Sequence, residues 1–90
     1  MLVVVVYDIS DDKRRLKLSN FLEGQGRRVQ ESVFECFLSL KEMRQLHQEL
    51  KRRVKPEDNV RLYWISKEAV TRVLTLGSPP PQKPPDVYII

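Results

Sequence analysis

The chain has 90 residues, of which 16 are Lys or Arg and 12 are Asp or Glu, so its formal net charge is +4. This length fits one small basic domain, and a content of 41% hydrophobic and 31% charged residues excludes both a disordered chain and a membrane protein. The longest apolar run, residues 1–7, is far shorter than the roughly 20 residues that span a bilayer. We therefore expect a soluble, cytoplasmic protein without membrane association.

The cysteine and histidine content excludes several classes of site. The chain has one cysteine, Cys36, and one histidine, His47, so it can form neither an intrachain disulfide nor a zinc site of several Cys and His ligands. No catalytic motif surrounds either residue, and we expect His47 to be dispensable. Three glycines cannot form a Walker loop or a dinucleotide-binding fingerprint, which argues against a nucleotide cofactor.

The first half of the chain predicts a strand, a helix and a second extended segment. The ungapped, β-branched run 2–7 is typical of a central strand that is covered on both faces. Residues 10–12 can cap a helix that begins near Lys13 and ends at the next glycines. Residues 29–38 read as extended, and their imperfect alternation indicates a bulge or break near Glu31-Ser32.

The second half begins with a clearer helix. Ser39 and Glu42 have the spacing of a capping box, and Pro56 ends the helix that follows. Residues 60–65 alternate as a strand. Ser66 can then cap a short helical stretch.

A proline-rich segment follows this stretch. Residues 77–86 contain five of the six prolines, which predicts an extended, semi-rigid arm. We therefore divide the chain into a domain at 1–76 and, at 77–90, the arm with a C-terminal strand. The last four residues, 87–90, are apolar and β-prone, so we expect them to pair with a sheet edge of the same chain or of a partner.

Basic residues are concentrated in three clusters of the sequence. A solvated helix face is the ordinary interpretation of any one cluster, but three in a small domain favour binding to nucleic acid through its phosphates. We expect this binding to be electrostatic and largely indifferent to sequence. Two aromatic residues near the clusters, Tyr7 and Phe34, would either stack on bases or pack in the core. The predicted nucleic-acid-binding residues are Lys13, Arg14, Arg15, Lys17, Arg27, Arg28, Lys51, Arg52 and Arg53.

Asp8 is the strongest candidate for chemistry. It ends the predicted buried strand, and a carboxylate at that position is a natural ligand for a hard cation such as magnesium. The alternative is that Asp8 only caps a turn. One carboxylate is too few for a phosphodiester-cleaving metal site, but a symmetric dimer would supply a second. Asp11 and Asp12 are weaker candidates, because helix capping also explains them.

Three segments of the sequence carry a family resemblance. They are Val-Val-Tyr-Asp-Ile at 5–9, Asp-Asp-Lys-Arg-Arg at 11–15, and Arg-Val-Gln-Glu-Ser-Val-Phe-Glu-Cys at 28–36. Together with the length, the basic second helix and the apolar C-terminus, they resemble the small CRISPR-associated endonucleases of the Cas-two family. That family acts with the Cas-one integrase in spacer acquisition. The resemblance covers essentially the whole chain.

The resemblance implies an α+β, ferredoxin-like βαββαβ domain that forms a symmetric homodimer. The C-terminal strand of each chain would pair across the dimer with the other protomer. This fold needs two strands between the helices, so residues 29–38 would divide near Glu31-Ser32. The resemblance also implies magnesium or manganese at the dimer cleft, held by Asp8 of each protomer.

The resemblance further implies roles for residues around Asp8. Tyr7, Arg15, Arg28 and Phe34 fall at family positions linked to activity or to nucleic-acid contact, so we place them with Asp8 in the predicted catalytic set. Ser32 falls at another such position. A further one, arginine in some members, is Lys17 here, which keeps the charge but loses the bidentate guanidinium.

The basic clusters and the family resemblance together imply a dimeric, basic, nucleic-acid-binding adaptor for the integrase. It would also be a magnesium-dependent endonuclease acting on RNA or double-stranded DNA. The first alternative is a free metal-dependent endoribonuclease. A toxin-like ribonuclease of a related ferredoxin-like fold is the second.

Overall fold

The structure is a computed structural model, and it describes residues 1–83. It contains four strands and three helices in one α+β arrangement. In chain order they are β1 (Leu2–Asp8), α1 (Asp12–Glu23), β2 (Arg27–Gln30), β3 (Val33–Phe37), α2 (Leu40–Arg53), β4 (Asn59–Ile65) and α3 (Lys67–Val70).

The four strands form one sheet in the order β2-β3-β1-β4, with every neighbouring pair antiparallel. Strand β1 is central, and Val5 lies opposite Phe34 of β3 and Leu62 of β4. The element order βαββαβ and this strand order are those of the ferredoxin-like fold, as expected. The short helix α3 follows β4 as an addition.

The extended segment between the helices consists of two strands. Strand β2 begins at Arg27, two residues before the predicted start, and Glu31-Ser32 form the turn before β3. The register between β2 and β3 shifts between Arg28 and Gln30. The pattern-based interpretation as a single strand was therefore wrong, whereas the break at Glu31-Ser32 is confirmed.

Both long helices begin at the predicted caps. The Asp11 side chain accepts a hydrogen bond from the Arg14 backbone N–H at 2.8 Å, so α1 begins at Asp12. The predicted capping box before α2 is present: Ser39 and Glu42 each accept the other's backbone N–H. These hydrogen bonds also hold the pKa of Glu42 below its usual value.

The two long helices, α1 and α2, cover only one face of the sheet. Val3, Val5 and Tyr7 of β1 are buried on that face, against two leucines from each long helix (Leu18, Leu22, Leu46 and Leu50). Cys36 is also fully buried there, and burial raises the pKa of its thiol to about 11, whereas His47 is exposed on α2. A catalytic Cys/His pair is thus not formed.

The opposite face of the sheet, here called the open face, carries Val4, Val6 and Asp8. Their cross-strand partners on this face are Val33, Glu35, Asn59, Arg61 and Tyr63. Leu2 lies on the same face, opposite Phe37, and is 1% exposed. Val4 and Val6 are only half-buried. In a single chain the prediction that β1 is covered on both faces is thus confirmed on this side only at Leu2, because no long helix packs over Val4, Val6 and Asp8.

After α3, residues 71–83 contain no helix or strand. Gln82 in the arm accepts a hydrogen bond from the Arg27 side chain at 2.8 Å, so the arm returns to β2. The apolar segment 87–90 lies outside the described residues, and its pairing stays a prediction. Within residues 1–83, no helix is long and apolar enough to cross a membrane.

Candidate metal and nucleic-acid sites

Asp8 and Tyr7 are adjacent in β1 but lie on opposite faces of the sheet. Side chains alternate along a strand, so Tyr7 points into the helix-covered core, where it is 4% exposed. Asp8 lies on the open face, opposite Asn59 of β4, and is exposed. The predicted catalytic set is thus split between the two faces at the end of β1.

A single chain offers too few ligands for magnesium at Asp8. Within residues 1–83, Asp8 makes no side-chain hydrogen bond or ion pair, and no three His, Cys, Asp or Glu side chains form a metal-ligating group. The nearby carboxylates are already engaged, because Asp11 caps α1 and Asp12 pairs with Arg15. Magnesium usually has several oxygen ligands. Asp8 therefore fits such an ion only if a second chain or a substrate supplies more oxygens.

Arg15 holds the loop that follows Asp8. Its guanidinium donates to the backbone oxygens of Ile9 at 2.8 Å and Ser10 at 3.3 Å, and it also bonds the Asp12 carboxylate. Arg15 thereby links the first turn of α1 to the residues immediately after β1. This contact restricts the backbone beside Asp8.

Two aromatic rings and a guanidinium stack in succession on the helix-covered face, near the end of β1: Tyr7 on Phe34, and Phe34 on Arg28. The Tyr7 and Phe34 ring centroids are 6.3 Å apart with an interplanar angle of 24°. The guanidinium carbon of Arg28 lies 5.3 Å over the Phe34 ring. Phe34 is fully buried and Tyr7 nearly so. Neither ring is available to stack on a base, and of the two predicted roles the core-packing one is found.

A cavity of about 200 Å³ brings three of the predicted residues together. Tyr7, Arg15 and Arg28 line it on the helix side of the sheet, with Asp12, Leu16, Ser19 and Glu31. Burial raises the pKa of Tyr7, and the positive charges of Arg28 and Arg15 partly oppose that shift. The Tyr7 hydroxyl donates to the Glu31 backbone oxygen at 3.3 Å. The two arginines therefore share one cavity with Tyr7, and Asp8 is not among its lining residues.

Arg14 is engaged by a carboxylate of the same chain. Its guanidinium binds Asp58 through two nitrogens, and the Asp58 side chain has no exposed surface. The basic cluster in the sequence predicted Arg14 as a nucleic-acid-binding residue, and no sequence signal pointed to Asp58. The two residues are 44 positions apart, and no spacing pattern connects them.

The cluster at the end of α2 is also partly engaged within the chain. Glu49 forms ion pairs with both Arg52 and Arg53, and the Arg53 guanidinium lies 4.0 Å over the Phe21 ring. Within residues 1–83, the exposed Lys51 and Lys55 make no ion pair. The remaining predicted cluster residues, Lys13, Lys17 and Arg27, are exposed.

Comparison with known proteins identifies relatives over the full chain. The family model for CRISPR associated protein Cas2 matches residues 1–73. A CRISPR-associated endoribonuclease Cas2 from Chloroflexus aurantiacus is 46% identical over 93 aligned positions, covering 100% of both chains.

Solved structures agree with this relationship. Cas2 of Streptococcus pyogenes, crystallised at pH 6.5, matches with a TM-score of 0.72 and 32% identity over 86% of this chain and 100% of that chain. A chain of a partial Cas6-RT-Cas1–Cas2 complex matches with a TM-score of 0.72 and 32% identity, over 88% of this chain and 93% of its own. The chain therefore belongs to the Cas2 family of CRISPR-associated proteins, the Cas-two family that its sequence resembles.

Proposed function

We propose that this protein is a homodimeric, nucleic-acid-binding adaptor for the Cas1 integrase in spacer acquisition, and that it is also a magnesium-dependent endonuclease. The observation that carries the proposal is the position of Asp8. It is exposed at the end of the central strand, on the sheet face that the two long helices leave uncovered, and has no side-chain partner within residues 1–83.

A second copy of the chain is the partner that suits the open face. Val4, Val6, Val33 and Phe37 present half-buried apolar surface there, and Tyr63 is 45% exposed. Apolar sheet faces of small domains are normally covered. A two-fold axis through this face would bring two copies of the same surface together. The presence of a Cas2 chain in a solved Cas1–Cas2 complex supports an integrase as the further partner.

The dimer would also complete the metal site. Two Asp8 carboxylates near the axis would repel each other, and a divalent cation would relieve that repulsion. Bound magnesium or manganese would act as a Lewis acid and lower the pKa of a bound water. The protein's own contribution is to hold the two carboxylates in place, and Arg15 does this through the backbone of Ile9 and Ser10.

Exposed lysines and arginines support the nucleic-acid role. Lys13 and Lys17 lie on α1, close in sequence to Asp8. Lys51 lies in the last turn of α2, and Lys55 follows that helix. Their charges would neutralise phosphates of either RNA or DNA. The name of the Chloroflexus relative, an endoribonuclease, supports RNA as one substrate.

The test compares the parent with Asp8→Asn, which keeps the side-chain shape but removes its charge. Single-stranded RNA and duplex DNA are incubated with magnesium, manganese or EDTA at about pH 6 to 9, the range in which metal-assisted hydrolysis operates. We expect metal-dependent cleavage by the parent and none by Asp8→Asn, with dimerisation and nucleic-acid binding retained. Asp11→Asn is the control, because asparagine caps a helix as well as aspartate does.

The outcomes separate the candidate functions. Equal cleavage by Asp8→Asn and the parent would remove Asp8 from the catalytic role. An inactive parent that still supports integration by Cas1 would leave the adaptor function alone, with Asp8 as a structural carboxylate. Cleavage without any effect on integration would favour a free endoribonuclease, and growth inhibition on expression would favour a toxin-like ribonuclease.

A further inference from the structure

The cavity between α1 and the turn that joins β2 to β3 lies beside two basic clusters, yet its lining carries as many negative as positive side chains. Two arginines, Arg15 and Arg28, are balanced there by two carboxylates, Asp12 and Glu31. Glu23 adds a further negative charge beside Arg28, at 3.4 Å. Phosphate binding requires a net positive site. The lining is therefore poorly suited to a phosphate and better suited to a neutral polar group.

The lining offers both donors and acceptors of hydrogen bonds. A guanidinium has five N–H donors, and Arg28 uses one in its bond to Glu23 within the described residues. The Tyr7 hydroxyl donates to the Glu31 backbone and can still accept a hydrogen bond. Carboxylates supply further acceptors. This mixture matches the edge of a nucleobase, which also carries donors and acceptors side by side.

Arg28 also presents a flat surface to the cavity. Its guanidinium carbon lies 5.3 Å over the centroid of the buried Phe34 ring, and Arg28 itself is exposed, so the side of the guanidinium away from Phe34 remains for a planar ligand. Unpaired bases commonly stack on arginine guanidinium planes. Phe34 would then hold the planar guanidinium in position without touching the base.

Leu16 and the small volume of the cavity also favour a single base. Leu16 is an apolar residue of α1 that lines the cavity yet is 61% exposed. The volume of about 200 Å³ is below the roughly 300–1,000 Å³ of clefts that hold drug-sized ligands. One ring system fits such a volume better than a whole nucleotide.

We propose that the cavity lined by Tyr7, Arg15, Leu16 and Arg28 binds one unpaired nucleobase of a single-stranded nucleic acid. The site lies on the helix side of the sheet, whereas Asp8 lies on the open face. This inference rests on the proposed function, because the base would belong to a nucleic-acid strand that the same protein binds. A base in this cavity would anchor a single strand near the end of β1. Duplex DNA could not bind in this way, because its bases are stacked inside the helix.

The test is an NMR titration of the full-length protein in EDTA with uridine, cytidine, adenosine and guanosine, which carry no phosphate. We expect saturable shift changes at the amides of Leu16 and Arg28 for at least one nucleoside. Deoxynucleosides form a second arm that separates recognition of the base from recognition of the ribose. Arg28→Lys keeps the charge but removes the stacking plane, so affinity should fall about tenfold, as for the loss of ~1.4 kcal/mol of base stacking.

Leu16→Ala gives a second variant at an exposed position that should not disturb folding, and it should also weaken binding. Arg44→Lys on α2, at an exposed position outside the cavity, is the matched control and should bind as the parent does. The proposal is overturned if no nucleoside binds, if Arg28→Lys binds as tightly as the parent, or if inorganic phosphate competes for the same site.

The result is independent of the nuclease test. Nucleosides should bind Asp8→Asn as they bind the parent, because the two sites face opposite sides of the sheet. Nucleoside binding by a protein that cleaves nothing would contradict only the endonuclease proposal. Cleavage by a protein that binds no nucleoside would contradict only the base site.

Discussion

Arg14 and Asp58 form a bidentate ion pair that joins the first turn of α1 to the turn before β4. The Nε and Nη2 atoms of Arg14 lie 2.5 and 2.8 Å from the two Asp58 carboxylate oxygens. Asp58 also accepts the backbone N–H of Lys55 at 2.9 Å. Its neighbour Asn59 pairs with Asp8 across the sheet. The ion pair thus fixes the strand end at which Asp8 lies.

We predict that Arg14→Gln and Asp58→Asn each lower the stability of the protein. Loss of either partner leaves the other without its charged hydrogen bonds in a protected position. The measurement is urea unfolding of both single variants and the double variant. The double variant should be less destabilised than the sum of the singles. Arg72→Gln, which removes the exposed pair with Glu68, is the control and should change the midpoint little.

The same ion pair predicts how stability depends on pH. Hydrogen bonding to Arg14 holds the pKa of Asp58 below its usual value in the folded protein. A carboxyl with a depressed folded pKa contributes stability above its unfolded pKa of about 3.9, and that contribution is lost as the pH falls through the folded pKa. The free energies of unfolding of the parent and of Asp58→Asn, measured from pH 7 to pH 2, should therefore converge at acid pH. A constant difference would contradict this linkage.

Gly26 is predicted to tolerate no side chain. A Cβ atom at this position would press on the Glu35 carbonyl oxygen and would lie 2.9 Å from the Cys36 Cα and 2.6 Å from its sulfur. We expect Gly26→Ala to destabilise the protein by about 1–3 kcal/mol, the range for overpacking. Gly24→Ala is the matched control, since its nearest neighbouring atom would be 3.5 Å away. Denaturant unfolding that shows equal stability for both variants would argue against the clash.

The dimer proposal makes two predictions at separate places in the chain. Deletion of residues 87–90 should weaken dimerisation, because the family resemblance implies that this apolar strand pairs across the dimer. Val6→Lys should weaken it as well, by placing a charge in the open face. Leu16→Lys, at an exposed position on α1, should not. Sedimentation at micromolar concentration measures all three, and a truncated chain that stays fully dimeric would exclude the C-terminal segment from the interface.

Binding to duplex DNA should fall steeply with salt and depend little on sequence. The structure divides the α2 cluster, since Arg53 is bound to Glu49 and Phe21 whereas Lys51 makes no ion pair within residues 1–83. Lys51→Glu should therefore reduce affinity for all sequences alike and reduce the salt slope by about 1 for each phosphate that the lysine neutralises. Arg53→Gln should affect stability more than binding. Affinity that is unchanged between low and moderate salt would contradict the electrostatic model.

The local elements of this protein can be predicted from its sequence alone. The β-branched run before Asp8, the capping oxygen of Asp11 and the capping box at Ser39 are signals within a few neighbouring residues, and the helices and β1 formed where they indicated. The imperfect alternation of residues 29–38 indicated a bulge or break at Glu31-Ser32, and the family resemblance added that this break divides two strands. Periodicity alone did not distinguish a bulge from a turn, because a two-residue turn interrupts the alternation only briefly.

The roles of the functional candidates depend instead on how the elements pack. Asp8 and Tyr7 are neighbours in the chain, yet the alternation of β1 and helices on one face of the sheet place Asp8 outside and Tyr7 inside. Arg14 and Arg15 look equivalent in a basic cluster, but one binds Asp58 and the other binds the loop at Ile9. Asp58 reaches Arg14 through packing between distant parts of the chain, and Ile9 reaches Arg15 through the turn of the loop between β1 and α1. The positions of charged residues along the sequence contain no information about either contact.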